Sequence, residues 1–362
     1  MKNGGIWPDS KGVHINAHGG SLLEHEGVWY WYGENKGPGW EGRLAQVGVQ
    51  AYRSRDLRNW ENCGAALAVS DDPASPICRG QRIERPKVIF CRKTGKFVMY
   101  FHSANDDHSR ADMGVAVSDT PEGPFQLLYV ERPDRDVWPL DVSHQDKDPG
   151  IISRTPLWQD KHDAEWRFHL GKYGAVGQNF HTGQDARDQT LFVDDDEKAY
   201  HIYASEGNST MHIALLTDDY LHHSGVYTRA FKGRWQEAPI VFKHNGVYCM
   251  MNSGCYGWLP CPAHGARAEK MFGPWFEFEN PCRGRDPETG SGPGTTFNCQ
   301  GACAFAVNGK QYVMLDRWNM KDFIDSRYVW LPVEFHADGT FSIEWTSECR
   351  PVEEGAGEEI GH

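Results

Sequence analysis

Trp235-Gln236-Glu237-Ala238-Pro239-Ile240-Val241-Phe242 sets a carboxylate directly ahead of a proline and an apolar run. Pro239 disfavours helix at Ala238, and Ile240, Val241 and Phe242 favour strand. His244-Asn245-Gly246 turns the chain, and Val247-Tyr248-Cys249-Met250-Met251 runs back. The stretch predicts a hairpin with a carboxylate at its start. The same design recurs at Ile83-Glu84-Arg85-Pro86-Lys87-Val88-Ile89-Phe90, turning at Lys93-Thr94-Gly95-Lys96 and returning along Phe97-Val98-Met99-Tyr100-Phe101.

Working outward, five similar units emerge. The first enters along Val13 to Leu23, returns along Val28 to Gly33, and continues through Val47 to Arg53. The second and fourth are built on Glu84 and Glu237. The third starts near Arg187-Asp188-Gln189, and the fifth at Asn298-Cys299-Gln300. Short alternating runs between Gly, Asn and Asp turns mark an all-β chain. Units of roughly 45 residues with about four strands each predict a five-bladed β-propeller. A long β-sandwich is the alternative, but it does not account for the recurring Gly-Pro-Phe/Trp at unit ends. Residues 1–350 are expected to form one catalytic domain and 351–362 a tail. The stretch 130–186 exceeds an ordinary connection and reads as a loop-rich insertion between blades two and three. His144, Asp146, Asp148, His162, His169 and His181 lie in it without metal-ligand spacing, so a solvated polar loop is expected.

Composition narrows the class. A formal net charge of −13 argues against a nucleic-acid phosphate surface or an anionic membrane as partner. No stretch has the apolar length of a membrane span. Met1-Lys2-Asn3-Gly4-Gly5 has no apolar signal core behind it, which points to a cytoplasmic protein or to a secreted or periplasmic one already processed. The ten Cys form no CxxC pair, and Cys91, Cys249, Cys299 and Cys303 read as buried strand thiols. The 14 Trp, 14 Tyr and 17 Phe exceed ordinary core needs, and a surplus in a pocket suits the C–H faces of sugars.

In a propeller the first strand of each blade lines the axis, so the starts of these strands converge on one rim. Those positions are Asn16 and His18, Glu84 and Arg85, Asp188, Glu237, and Gln300. Buried like charges raise one another's pKa, which is a costly way to build stability and an ordinary way to build a site. Two carboxyl groups flanking a sugar bond are what glycoside hydrolysis needs. Each residue alone also has a structural reading, such as Glu84 pairing with Arg85 or Lys87.

These motifs resemble glycoside hydrolase family 43, a family of five-bladed propellers, and most nearly its exo-β-1,3-galactanase branch. The resemblance rests on INAHGG with YWYGEN, ERPKVIF with MYFHS, RDQTLFVDDDEKAYHIYAS, EAPIVFKHNGVY and SGCYGW. It implies Glu237 as general acid and Asp188 as the carboxylate that tunes it. The family's usual base, an Asp on the first blade, has no counterpart in Ile15-Asn16-Ala17-His18-Gly19. The galactanase branch shares this departure, and there a Gln matching Gln300 is proposed as base through its imidic tautomer. The Glu matching Glu84 is the competing base or a ligand for substrate hydroxyls. Resemblance favours Gln300 and ordinary carboxylate chemistry favours Glu84. The expectation taken forward places Gln300 on the water side. Arg85, Glu34, His18, Asn208 and Trp258 are implied as substrate contacts. Many family members hold Ca²⁺ near the axis through a last-blade His. Gly292 to Gln300 contains none, so no metal or other cofactor is expected. An inverting, exo-acting hydrolase of β-1,3-galactan is implied, with an oligo- or polysaccharide as partner. The alternatives are an α-L-arabinofuranosidase or β-D-galactofuranosidase of the same family, or a sugar-binding propeller without catalysis.

Overall fold

The computed structural model describes residues 1–144, 147, 176–349 and 351. Their strands form five sheets arranged as the blades of a β-propeller. Blade one holds β1 (His18–His25), β2 (Val28–Glu34), β3 (Gly48–Ser54) and β4 (Glu61–Ala68). Blade two holds β5 (Arg82–Cys91), β6 (Lys96–Ala104), β7 (Ala111–Ser118) and β8 (Gln126–Glu131). Blade three holds β9 (Gln189–Val193), β10 (Ala199–Ser205), β11 (Thr210–Leu216) and β12 (His223–Ala230). Blade four holds β13 (Gln236–His244), β14 (Val247–Gly254), β15 (His264–Ala268) and β16 (Phe276–Phe278). In blade five, β17 (Cys282–Arg283) joins the outer edge of a meander of β18 (Gln300–Val307), β19 (Lys310–Arg317), β20 (Arg327–Phe335) and β21 (Phe341–Glu344). The inner strands β1, β5, β9, β13 and β18 adjoin one another in that cyclic order, so the ring closes between blades five and one.

Local chemistry makes the hairpins. Glu26-Gly27, Asn245-Gly246 and Asn308-Gly309 each place two residues at positive φ between paired strand ends. That is the two-residue turn whose twist matches antiparallel strands. Five apolar cores then fill the five seams between neighbouring blades. The closing seam is the aromatic one. Trp7, Trp31, Trp60 and Trp330 meet there with ring centroids 5.1–6.4 Å apart. The N-terminus seals it: Asn3 N–H donates to Ser347 O, Gly4 N–H to Tyr328 O, and the Asn3 amide to Trp330 O. Much of the aromatic surplus is therefore ring closure.

Two expectations need correction, and a third lies outside what the structure describes. The first inner strand begins at His18; Val13 to Ala17 lie outside any strand, because Ile15 and Asn16 bond to Trp7, Tyr52 and Lys36. Cys299 is a buried thiol, but it precedes β18. The insertion reading falls mostly on residues outside the described set, as do Asp146, Asp148, His162, His169 and all of the tail but Pro351. His181, which is described, pairs with Asp136 at 2.7 Å.

Near the axis Lys87 is fully buried. Its Nζ donates to the carbonyls of Gly19 (2.7 Å), Gly20 (2.6 Å) and Ala302 (2.8 Å), tying blade two to blades one and five. These oxygens are already taken by an ammonium and do not also fit a metal ion. Lys87→Met keeps the bulk and strands three buried carbonyls, each costing about 1–3 kcal/mol when unpaired. The variant should lower the urea midpoint by the equivalent of about 3 kcal/mol with an unchanged slope. An unchanged midpoint contradicts this role.

Candidate active site

The inner strands carry a shared irregularity that aims the site residues. β5 is bulged between Glu84 and Lys87, with Arg85 at φ 53°, and β13 between Glu237 and Ile240, with Ala238 at φ 50°. β1 is bulged between His18 and Ser21, with Gly19 at φ 59°. Proline cannot donate to the ladder, so an interruption at Pro86 and Pro239 is expected. The left-handed turn before it was not. Ala238 avoids helix as read, yet it is not extended. A non-glycine residue there costs of order 1–3 kcal/mol. The bulge rotates the preceding carboxylate off the strand face.

Glu84, Arg85, Asp188, Glu237 and Gln300 line one cavity of about 980 Å³ with Glu34, Asn208 and Trp258. Arg85 is its central cation. Its guanidinium meets Asp188 Oδ2 at 2.8 Å and donates to Gln300 Oε1 (2.5 Å) and Gly301 O (2.7 Å). Its backbone N–H donates to Glu34 Oε1 at 3.0 Å. Glu34 also pairs with Lys36 at 2.5 Å and is only 3% exposed, so it positions Arg85.

Glu237 Oε1 accepts from Gln300 Nε2 at 3.1 Å, and Oε2 from Asn208 Nδ2 at 3.4 Å. Burial and then the charge of Asp188 push its carboxyl up to about 8, against the opposing pull of Arg85. Glu84 behaves oppositely. Burial alone would raise it, but Lys36, Arg82, His102 and His108 outweigh burial and hold it at about 2. Arg82 bonds it directly at 2.9 Å. One cavity thus holds a carboxyl protonated at neutral pH and a carboxylate ionised there.

Gln300 is fully committed. Its Oε1 accepts from Arg85 and from Trp318 Nε1 (2.9 Å), and its Nε2 also donates to Ser253 Oγ (3.2 Å). Both partners of Oε1 can only donate, which sets the amide's orientation.

Asn208 Oδ1 and His102 Nε2 are buried without a partner among the described residues. Both belong to residues lining the cavity. Unpaired buried polar atoms are costly, and a ligand rich in hydroxyls satisfies them. Trp258 stands on the wall, edge-on to Phe323 at 4.9 Å. His18, read as a substrate contact, does not line the cavity. Its ring is fully buried, held by Asp316 (3.0 Å) and Tyr328 (3.2 Å), and the same Asp316 binds Gly19 N–H. Trp318, Arg82 and Cys255 line the cavity and were not read from the sequence. Among the described residues no group of His, Cys, Asp and Glu is arranged to hold a metal ion.

No protein-family model matches the chain. The extracellular endo-α-(1→5)-L-arabinanase 2 of Bacillus subtilis (strain 168) is 22% identical over 178 residues, which is 45% of this chain and 34% of that protein. A solved family 43 β-1,3-galactosidase with galactodeoxynojirimycin is 40% identical, with TM-score 0.89, covering 97% of this chain and all of the other. The exo-β-1,3-galactanase of Phanerochaete chrysosporium, solved with β-1,3-galactotriose, is 28% identical at TM-score 0.73, covering 95% of this chain and 66% of its own. That of Clostridium thermocellum is 30% identical at TM-score 0.73, covering 95% and 64%. The chain therefore spans about a third of the curated arabinanase and just under two thirds of these two galactanases.

Glu237 links pH to stability. Its folded pKa of about 8 lies above the unfolded 4.5, so the folded state binds the extra proton between them. Its contribution is full below 4.5 and is lost as pH rises through 8. Glu237→Gln removes that loss. The melting temperature of the variant should gain on that of the unmodified protein from pH 5 to pH 9. A pH-independent difference contradicts the raised pKa.

Proposed function

This chain belongs to glycoside hydrolase family 43 and is a glycoside hydrolase, and we propose that it is an exo-acting, inverting β-1,3-galactanase that releases galactose from chain ends, with residues 1–350 as one catalytic domain. The observation that carries this reading is the oppositely protonated pair, Glu237 and Glu84, on one cavity. The sugars bound in the galactosidase and galactanase relatives support galactose as the unit recognised.

Glu237 acts as general acid. Its carboxyl delivers the proton to the glycosidic oxygen as the C1–O bond breaks. Asp188 keeps that proton on Glu237 near neutral pH, and Arg85 holds Asp188 in place. A water attacks C1 from the opposite face and gives its proton to Glu84, inverting the anomeric centre. Asn208, through its unpaired Oδ1, binds a substrate hydroxyl, and Trp258 offers a sugar platform.

The order of the two base candidates is reversed here. An imidic Gln300 would carry a proton on Oε1, where Arg85 and Trp318 both donate. Inversion also needs roughly 6.5–9.5 Å between acid and base to admit a water. Gln300 Nε2 stands 3.1 Å from Glu237, a direct bond. Gln300 therefore orients the acid, and Glu84 activates water.

One assay series tests both levels. Chromatography of products from galactans and arabinans should show galactose from β-1,3-galactan, and arabinose alone contradicts the substrate. With β-galactosyl fluoride, whose fluoride leaves from the face opposite the attacking anion, azide should restore Glu84→Ala at least about tenfold and leave Gln300→Ala unchanged. The reverse pattern returns the base role to Gln300.

A further inference from the structure

Trp40 sits on a short 3-10 turn, Trp40–Arg43, and is 48% exposed. It does not line the cavity, yet it is rigidly held. The Arg43 guanidinium lies 4.8 Å from its ring, and two hydrogen bonds to Asp106 (2.9 and 2.8 Å) fix that arginine. The indole meets Trp258 edge-on at 5.6 Å and Phe323 at 5.8 Å. Backbone bonds from Phe323 to Gly39 and from Ile324 to Gly37 dock the turn on blade five. Tyr256 (64%), Leu259 (54%) and Ile324 (43%) are exposed on the loops beside it.

A single exposed apolar residue is normal. Here the exposed Trp40 packs on Trp258, which is itself cavity wall; Leu259 follows Trp258 in the chain, and Ile324 follows Phe323, which meets both indoles. The direction of the surface identifies its occupant. The leaving oxygen must meet Glu237 on blade four, so the departing part of the substrate passes over the blade-four loop carrying Trp258. Beyond that loop stands Trp40. A β-galactopyranose unit presents the hydrogens of C3, C4 and C5 on one face, which suits an open indole.

We propose that Trp40, with Leu259 and Ile324 beside it, is a binding subsite for the leaving galactan chain beyond the bond cleaved, and that it makes the enzyme favour long chains. This rests on the galactanase reading above. A contact that is equally strong in the bound and transition states acts on KM and leaves kcat alone, and an open platform beyond the bond cleaved is of that kind.

The test measures kcat/KM on β-1,3-galacto-oligosaccharides from disaccharide to hexasaccharide. The unmodified enzyme should gain with length. In Trp40→Ala the hexasaccharide-to-disaccharide ratio should fall by about tenfold, through KM. Leu259→Ser, a surface change that leaves the aromatic contacts intact, should lower the same ratio about twofold to threefold and carries the test if Trp40→Ala does not fold. Ratios equal to the unmodified enzyme's overturn the subsite while galactose release upholds the galactanase reading. If the unmodified enzyme cleaves no member of the series, that reading fails and the subsite with it.

Discussion

The arrangement depends on the buried guanidinium of Arg85. From blade two it reaches Asp188 before blade three and Gln300 and Gly301 on blade five, while its backbone engages Glu34 at the end of β2. Burial opposes its charge, but Asp188, Glu34, Asp316 and Glu237 raise its pKa. Removing one partner of a buried pair costs about 3–5 kcal/mol, so these contacts stand or fall together. They also set the chemistry. Asp188 stays beside Glu237 because Arg85 holds it, and Gln300 faces Glu237 because Arg85 and Trp318 claim its oxygen.

The bulges are the geometric counterpart. Without the left-handed residue before each proline, Glu84 and Glu237 would follow the alternation of a regular strand. At the equivalent place in β1 only glycine serves: a Cβ on Gly19 would stand 2.2 Å from Glu34 Oε1. The strain is offset by the bonds it permits, including the carbonyls of Gly19 and Gly20 offered to Lys87. Backbone distortion, axial ammonium and catalytic carboxyl belong to one construction.

The sequence shows the parts of this that are local. Glu84-Arg85-Pro86 and Glu237-Ala238-Pro239 are readable because a carboxylate, a proline and a β-prone run are contiguous, and repetition places Asp188 and Gln300 on the same rim. The misreadings are non-local. His18 looked like a rim residue, but Asp316, 298 positions away, holds its ring inside the wall. Trp318 had a signal that went unused. Counting back from the Asn308-Gly309 turn pairs Gln300 with Arg317, one residue from the Asp316 it meets once the bulge between Gly301 and Cys303 shifts the register, and so puts Trp318 close to Gln300. Nothing in the local sequence announces a positive φ at Ala238. The protonation of Glu237 needs burial and the Asp188 charge together, which only the closed ring supplies.

The central claim is that Glu237 is protonated at neutral pH because it is buried and because the charge of Asp188 beside it opposes its ionisation. The pH dependence of kcat/KM on an unactivated β-1,3-galacto-oligosaccharide reads this directly. The alkaline limb of the unmodified enzyme should lie near pH 8. In Asp188→Asn the charge that disfavours ionisation is gone and Arg85 is less neutralised. Both effects lower the acid's pKa, so the limb should move to lower pH. A limb in the ordinary carboxyl range, or one that Asp188→Asn leaves in place, would contradict the account.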